Sequence, residues 1–97
     1  MTTFQPISSD MTPAQRNVAR AANFAHFASN MRAWAARQEA RAPGRMDHVV
    51  LPVLEAAVAA DRVSAAYASG DKEAVLAARV AFAFLAPMGS NAAHAMD

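Results

Sequence analysis

Cysteine is missing from this 97-residue chain, so it has no disulfide, thiolate metal site or thiol nucleophile. Glycine occurs only three times, at Gly44, Gly70 and Gly89, which leaves no phosphate-cradling glycine loop and no glycine-flanked nucleophile elbow. Long apolar runs are lacking too. No stretch reaches the ~18 residues a membrane span needs, and the nearest, Ala74 to Met88, carries Arg79 in its middle. Charge of either sign is scarce: the net is +1, too small to imply a nucleic-acid or acidic partner by itself. The opening "MTTFQPISSD" shows no basic region followed by an apolar run, so no secretory signal is expected and a cytoplasmic location is.

What is present is alanine, with valine and leucine next, and this composition favours helix alone. The expected fold is all-α, a small bundle of three or four helices with short turns. Thr12 is the expected N-cap of the first helix, with Pro13 at its first position and Gln15 closing a capping box. "APGR" at Ala42 to Arg45 stops it. Asp47 is the expected cap of a second helix whose first turn Pro52 bends or delays; Gly70 ends it, and Asp71 caps a third that "APMG" closes. This divides the chain into an extended arm over residues 1–11, a bundle over 12–87 with helices at about 12–42, 47–69 and 71–86, and a flexible tail over 88–97. Phe4, Ile7 and Met11 are expected to dock the arm onto the bundle.

At helical spacing Phe24, Phe27, Met31 and Trp34 share one face of the first helix and are read as core, with Ala21, Ala25, Ala28 and Ala36 forming a flat opposite face. His26 lies off that seam. No His-x-x-x-His or Glu-x-x-His spacing puts two ligands on one helical face, so neither metal nor cofactor is expected. The serines fall in caps, turns or alanine-rich faces, and no catalytic residue is assigned. Asp61 falls near the apolar face of the second helix; a carboxylate buried there would need a partner, which a basic residue of the first helix could supply as a structural ion pair.

The charges are unevenly placed. Arg16, Arg20, Arg32, Arg37, Arg41 and Arg45 precede His48, whereas the later half carries most of the carboxylates. Arg32, Arg37, Arg41 and Arg45 cluster late in the first helix and its turn, and are the candidate partner-binding residues.

Two mismatches point to a partner. An unbroken first helix would be about 45 Å long, more than a compact domain of this size spans, so it breaks at Ser29–Asn30 or packs its end on another chain. The second and third helices are each apolar on two faces: Val50, Leu54, Ala57 and Val58 lie beside the stripe Val49, Val53, Ala56, Ala60, Val63 and Tyr67. In the third, Leu76, Val80 and Phe84 lie apart from Val75, Ala78, Phe82 and Leu85. Surplus apolar faces mark interfaces. The expected function is therefore non-enzymatic protein binding, by self-association as a homo-oligomer or by docking onto a larger assembly. Adaptors and small phage- or plasmid-encoded inhibitors, anti-CRISPR proteins among them, offer an analogy of size and missing chemistry only. The alternative is a nucleic-acid-binding module using the late arginines.

Overall fold

In the computed structural model, backbone structure is described for residues 4–96 and side chains for residues 4–85. Three helices follow one another: α1 (Pro13–Arg41, 29 residues), α2 (Asp47–Ser69, 23 residues) and α3 (Lys72–Met96, 25 residues). The chain is a small all-α bundle, and among the described residues it contains no strand.

Each helix start has a local cause. Gln15 N–H donates to Thr12 Oγ1 at 3.1 Å while Thr12 N–H donates to Gln15 Oε1 at 2.8 Å, a complete capping box. Asp71 Oδ1 accepts from Glu73 N–H at 3.0 Å and from Ala74 N–H at 3.4 Å, so this carboxylate is held at the start of α3. The second start differs from expectation. Met46, not Asp47, is the N-cap of α2, and it makes no side-chain capping bond. Its carbonyl accepts from Val49 and Val50 N–H, which places Asp47 inside the first turn. There its charge still meets the positive end of the helix. Pro52 does not delay this helix, which is continuous around it.

Two turns need a left-handed residue. Gly44 has φ 73° in the turn between α1 and α2, where its N–H donates to Glu39 Oε1 at 3.0 Å. Gly70 has φ 74° and ends α2.

α2 is the central element, packed against both neighbours, whereas among the described residues α1 and α3 do not approach each other along their backbones. Ten residues of α2 are buried against four of α1, as this layering requires. The core is built from small side chains. Ala28, Ala57 and Ala60 are fully buried, with Phe24, Phe27, Met31 and Phe82 packed around them. Val53 and Val63 are the largest fully buried side chains.

Four expectations need correction. Ala28 does not lie on a flat outer face; it is the residue of α1 most deeply buried, and the aromatics flank it. Bulky rings cannot fill the narrow seam between two alanine-rich helices, so they splay to its sides while alanine occupies the contact. Accordingly Phe24, Phe27, Met31 and Trp34 are only half-buried. α1 does not break at Ser29–Asn30 but runs unbroken to Arg41. At about 1.5 Å per residue it is ~43 Å long, and the molecule is elongated to match, 46 × 29 × 18 Å. Its late part is covered within the chain, since Ala35 and Gln38 are buried. Finally, α3 does not close at Ala86, and residues 88–96 are not a separate tail: the helix continues to Met96. A proline removes one N–H from the ladder without necessarily ending it, as Pro52 shows within α2, and the flanking alanines favour continuation. Met1 to Thr3 and Asp97, the ends of the expected arm and tail, lie outside the described residues.

Candidate functional site

The four arginines singled out by sequence do not form one free patch. Arg32 Nη2 donates to Asp61 Oδ2, an ion pair that links α1 to α2 with both side chains nearly half exposed. Asp61 thus takes its partner from the first helix, at the surface and not in the core. Arg41 Nη1 donates to Gln38 Oε1 at 3.2 Å and helps satisfy that buried amide. Arg37 and Arg45 are exposed and, among the described residues, in no ion pair.

The two-faced helices fare differently. On α2 the whole stripe Val49, Val53, Ala56, Ala60, Val63 and Tyr67 is buried, as are Val50 and Ala57 of the second stripe. Leu51 and Val58 remain exposed; with Leu54, Glu55, Arg62 and Leu85 they border a shallow recess between α2 and α3 of about 340 Å³. On α3, Val75, Ala78, Phe82 and Leu85 face inward and are half-buried. Leu76, Val80 and Phe84, spaced four apart on the other side, are 67%, 52% and 75% exposed. Their line covers two helical turns, about 12 Å. A central helix is covered by both neighbours. α3 instead packs on α2 and reaches α1 through Phe82, which meets Phe24 and Phe27 edge-on, so its opposite side stays uncovered.

The arm packs on the flank of α1 by polar and aromatic contacts. The Asn23 amide makes both bonds to the Gln5 backbone: Oδ1 accepts its N–H, and Nδ2 donates to its carbonyl at 2.9 Å. Phe4 meets His26 edge-on at 4.6 Å between ring centroids. Phe4 and Ile7 stay largely exposed, so the expected apolar docking is carried mainly by the Asn23 clamp. His26 Nε2 also lies 3.4 Å from Asn30 Nδ2. Among the described residues no three His, Asp or Glu side chains converge.

A further cluster escaped the sequence reading. Tyr67 is buried at the end of α2, where all three helices meet. Phe24 stacks on its ring at 6.0 Å, the Arg20 guanidinium lies 5.9 Å from its centroid, and Arg79 Nη1 donates to its hydroxyl at 3.1 Å. Arg20, Tyr67 and Arg79 are far apart in sequence and on three helices, so no spacing rule joins them. The available signal was that Arg20 extends the aromatic stripe and Arg79 interrupts an apolar run.

No helix among the described residues is long and apolar enough to cross a membrane. Compared with known protein families, curated proteins and solved structures, the chain matches none.

Proposed function

We propose that this chain is a non-enzymatic protein-binding module that docks through the outer face of α3, with a second copy of itself as the occupant. The observation that carries the reading is the exposed line Leu76, Val80 and Phe84. Three large apolar side chains in one unbroken stripe gain most by packing against a similar stripe, and a two-fold pairing lets one surface serve both copies. The stripe is bordered by Lys72, Glu73 and Arg79, charges of both signs that suit a polar rim. Leu85 lies with Leu51 and Leu54 toward the start of α2. Arg41 and Arg45 close α1 and enter the turn that precedes α2, and a basic end of this kind would orient a partner that reaches the start of α2.

The test is the oligomeric state. Sedimentation over micromolar concentrations should show a concentration-dependent dimer, and the triple variant Leu76→Ser, Val80→Ser, Phe84→Ser should be a folded monomer with unchanged helical circular dichroism. A wild-type chain that stays monomeric throughout would sink self-association.

The exposure of Arg37 and Arg45 supports a second, weaker proposal, contact with nucleic acid. Phosphate binding weakens steeply with salt and apolar docking hardly does, so a salt titration separates the two.

A further inference from the structure

We propose that the recess where the three helices meet at the Tyr67 end of the bundle binds a phosphate monoester group. It has a volume of about 300 Å³ and is bordered by Asn17 and Arg20 of α1, Tyr67 and Gly70 at the end of α2, and Lys72 and Arg79 of α3. Three cations converge here with no carboxylate among the residues that border it. Among the described residues none of the three makes an ion pair, whereas Arg32, elsewhere on α1, finds Asp61.

The convergence is built in. Arg20 lies over the face of the Tyr67 ring and Arg79 donates to the hydroxyl of the same ring. A buried phenol therefore holds two like charges near one another, which repel unless an anion lies between them. The nearest carboxylate in sequence, Asp71, is turned to the Glu73 and Ala74 N–H groups at the start of α3. α2 ends at this recess without a basic residue in its last turn, so part of the positive charge offsets its carbonyl end. That end amounts to about half a negative charge. The Asp71 and Glu73 carboxylates meet the start of α3 and offset a further part, but neither borders the recess that Arg20, Lys72 and Arg79 line. The start of α1 lies here too and adds positive potential, having no acidic residue in its first turn.

The recess also offers a neutral hydrogen-bonding group beside its cations. The Asn17 amide can donate to oxygens that the charged groups attract, whereas the Gly70 and Asp71 N–H groups are engaged by the Tyr67 carbonyl and the Ser69 hydroxyl. Two guanidinium groups and one ammonium suit a dianion with three terminal oxygens better than a singly charged carboxylate. The volume suits a small ester or a single phosphorylated side chain.

The test is a titration of the intact chain with ethyl phosphate at about pH 7.5, where a phosphate monoester is a dianion. Backbone amide NMR shifts are read, with sodium chloride and acetate at matched ionic strength as controls. Saturable shifts centred on Gly70, Lys72 and Val75 are expected with ethyl phosphate, and weak or unsaturable ones with acetate and chloride. Lys72→Gln and Arg79→Gln should each weaken binding about tenfold, as loss of one charge-assisted bond does. Arg37→Gln removes the same charge at the other end of the bundle and should leave the affinity within about twofold. Lys72 is exposed, so its variant keeps the test open should Arg79→Gln disturb Tyr67. A phosphoserine peptide run in parallel distinguishes sources: tighter binding than ethyl phosphate assigns the group to a protein, equal binding to a free ester. Unsaturable shifts, equal response to acetate, or equal weakening by Arg37→Gln and Lys72→Gln would overturn the proposal. Lys72 and Arg79 also border the α3 stripe, so the titration is run on the Leu76→Ser, Val80→Ser, Phe84→Ser variant as well, and the recess should bind ethyl phosphate equally in both forms.

Discussion

The hydroxyl of Ser64 on α2 donates to the main-chain carbonyl of Ala21 on α1 at 2.7 Å. That bond spans 43 positions and pins the two helices to one another beside the alanine-lined core. It forms because Ala21 has no side chain long enough to hold the helices apart. Ser64→Ala removes the donor while the carbonyl keeps its place in the helical ladder, so the loss should be about 1 kcal/mol. A denaturant midpoint lowered by that amount, with an unchanged slope, is the expected result; an unaltered midpoint would show the bond to be incidental.

The packing of Ala28 makes a second, larger prediction. It is fully buried against Ala57 and Ala60, with aromatics closing the space on either side. Ala28→Leu adds three carbons where two backbones approach closely and should destabilise the fold by about 1–3 kcal/mol or more. Ala25→Leu, on an exposed position one turn earlier, should be nearly neutral. Thermal unfolding of the pair compares them directly, and equal effects would contradict the assignment of the core face.

Trp34 is half-buried, so its truncation should fall below the roughly 3–5 kcal/mol expected for a fully buried indole. Val63→Ala removes less volume but at a site with no exposure, and about 1–3 kcal/mol is expected there. Chemical denaturation of both variants ranks them, and a Trp34→Ala loss well above 3 kcal/mol would place the ring deeper than the structure does.

Among the late arginines the structure separates roles that sequence left equal. Reversal of Arg37 and Arg45 to glutamate should leave the melting temperature within about 3 °C, because both are exposed and unpaired among the described residues. Arg41→Glu should be the most costly of the three, near 1 kcal/mol, since Arg41 stands in the last turn of α1 and donates to the buried Gln38. A double-mutant cycle on Arg32 and Asp61 should give a coupling below about 1 kcal/mol that shrinks with added salt. Cooperative unfolding followed by circular dichroism measures all of these.

Much of the architecture is legible in residues a few positions apart. The Thr12–Gln15 box, the Asp71 cap, the left-handed glycine at Gly70 and the buried Val49-to-Tyr67 stripe all depend on neighbours within one or two turns, and helix chemistry is local at that range. Boundaries that turn on competition between a breaker and its surroundings were not legible: Pro87 and Gly89 signal a stop, yet the alanine-rich flanks carry α3 to Met96. Nor could periodicity tell which of α1's two small or bulky faces meets α2, because both repeat at helical spacing. Tertiary packing settled it through size, admitting alanine to the closest approach and setting Phe24, Phe27 and Trp34 to the sides. The same holds for the charges. Composition placed arginines on α1, but whether each finds a carboxylate, a buried amide or a tyrosine ring depends on which helix lies beside it. Only the stacking of α1 and α3 on either side of α2 brings Arg20 and Arg79 to the same phenol and leaves Leu76, Val80 and Phe84 facing outward.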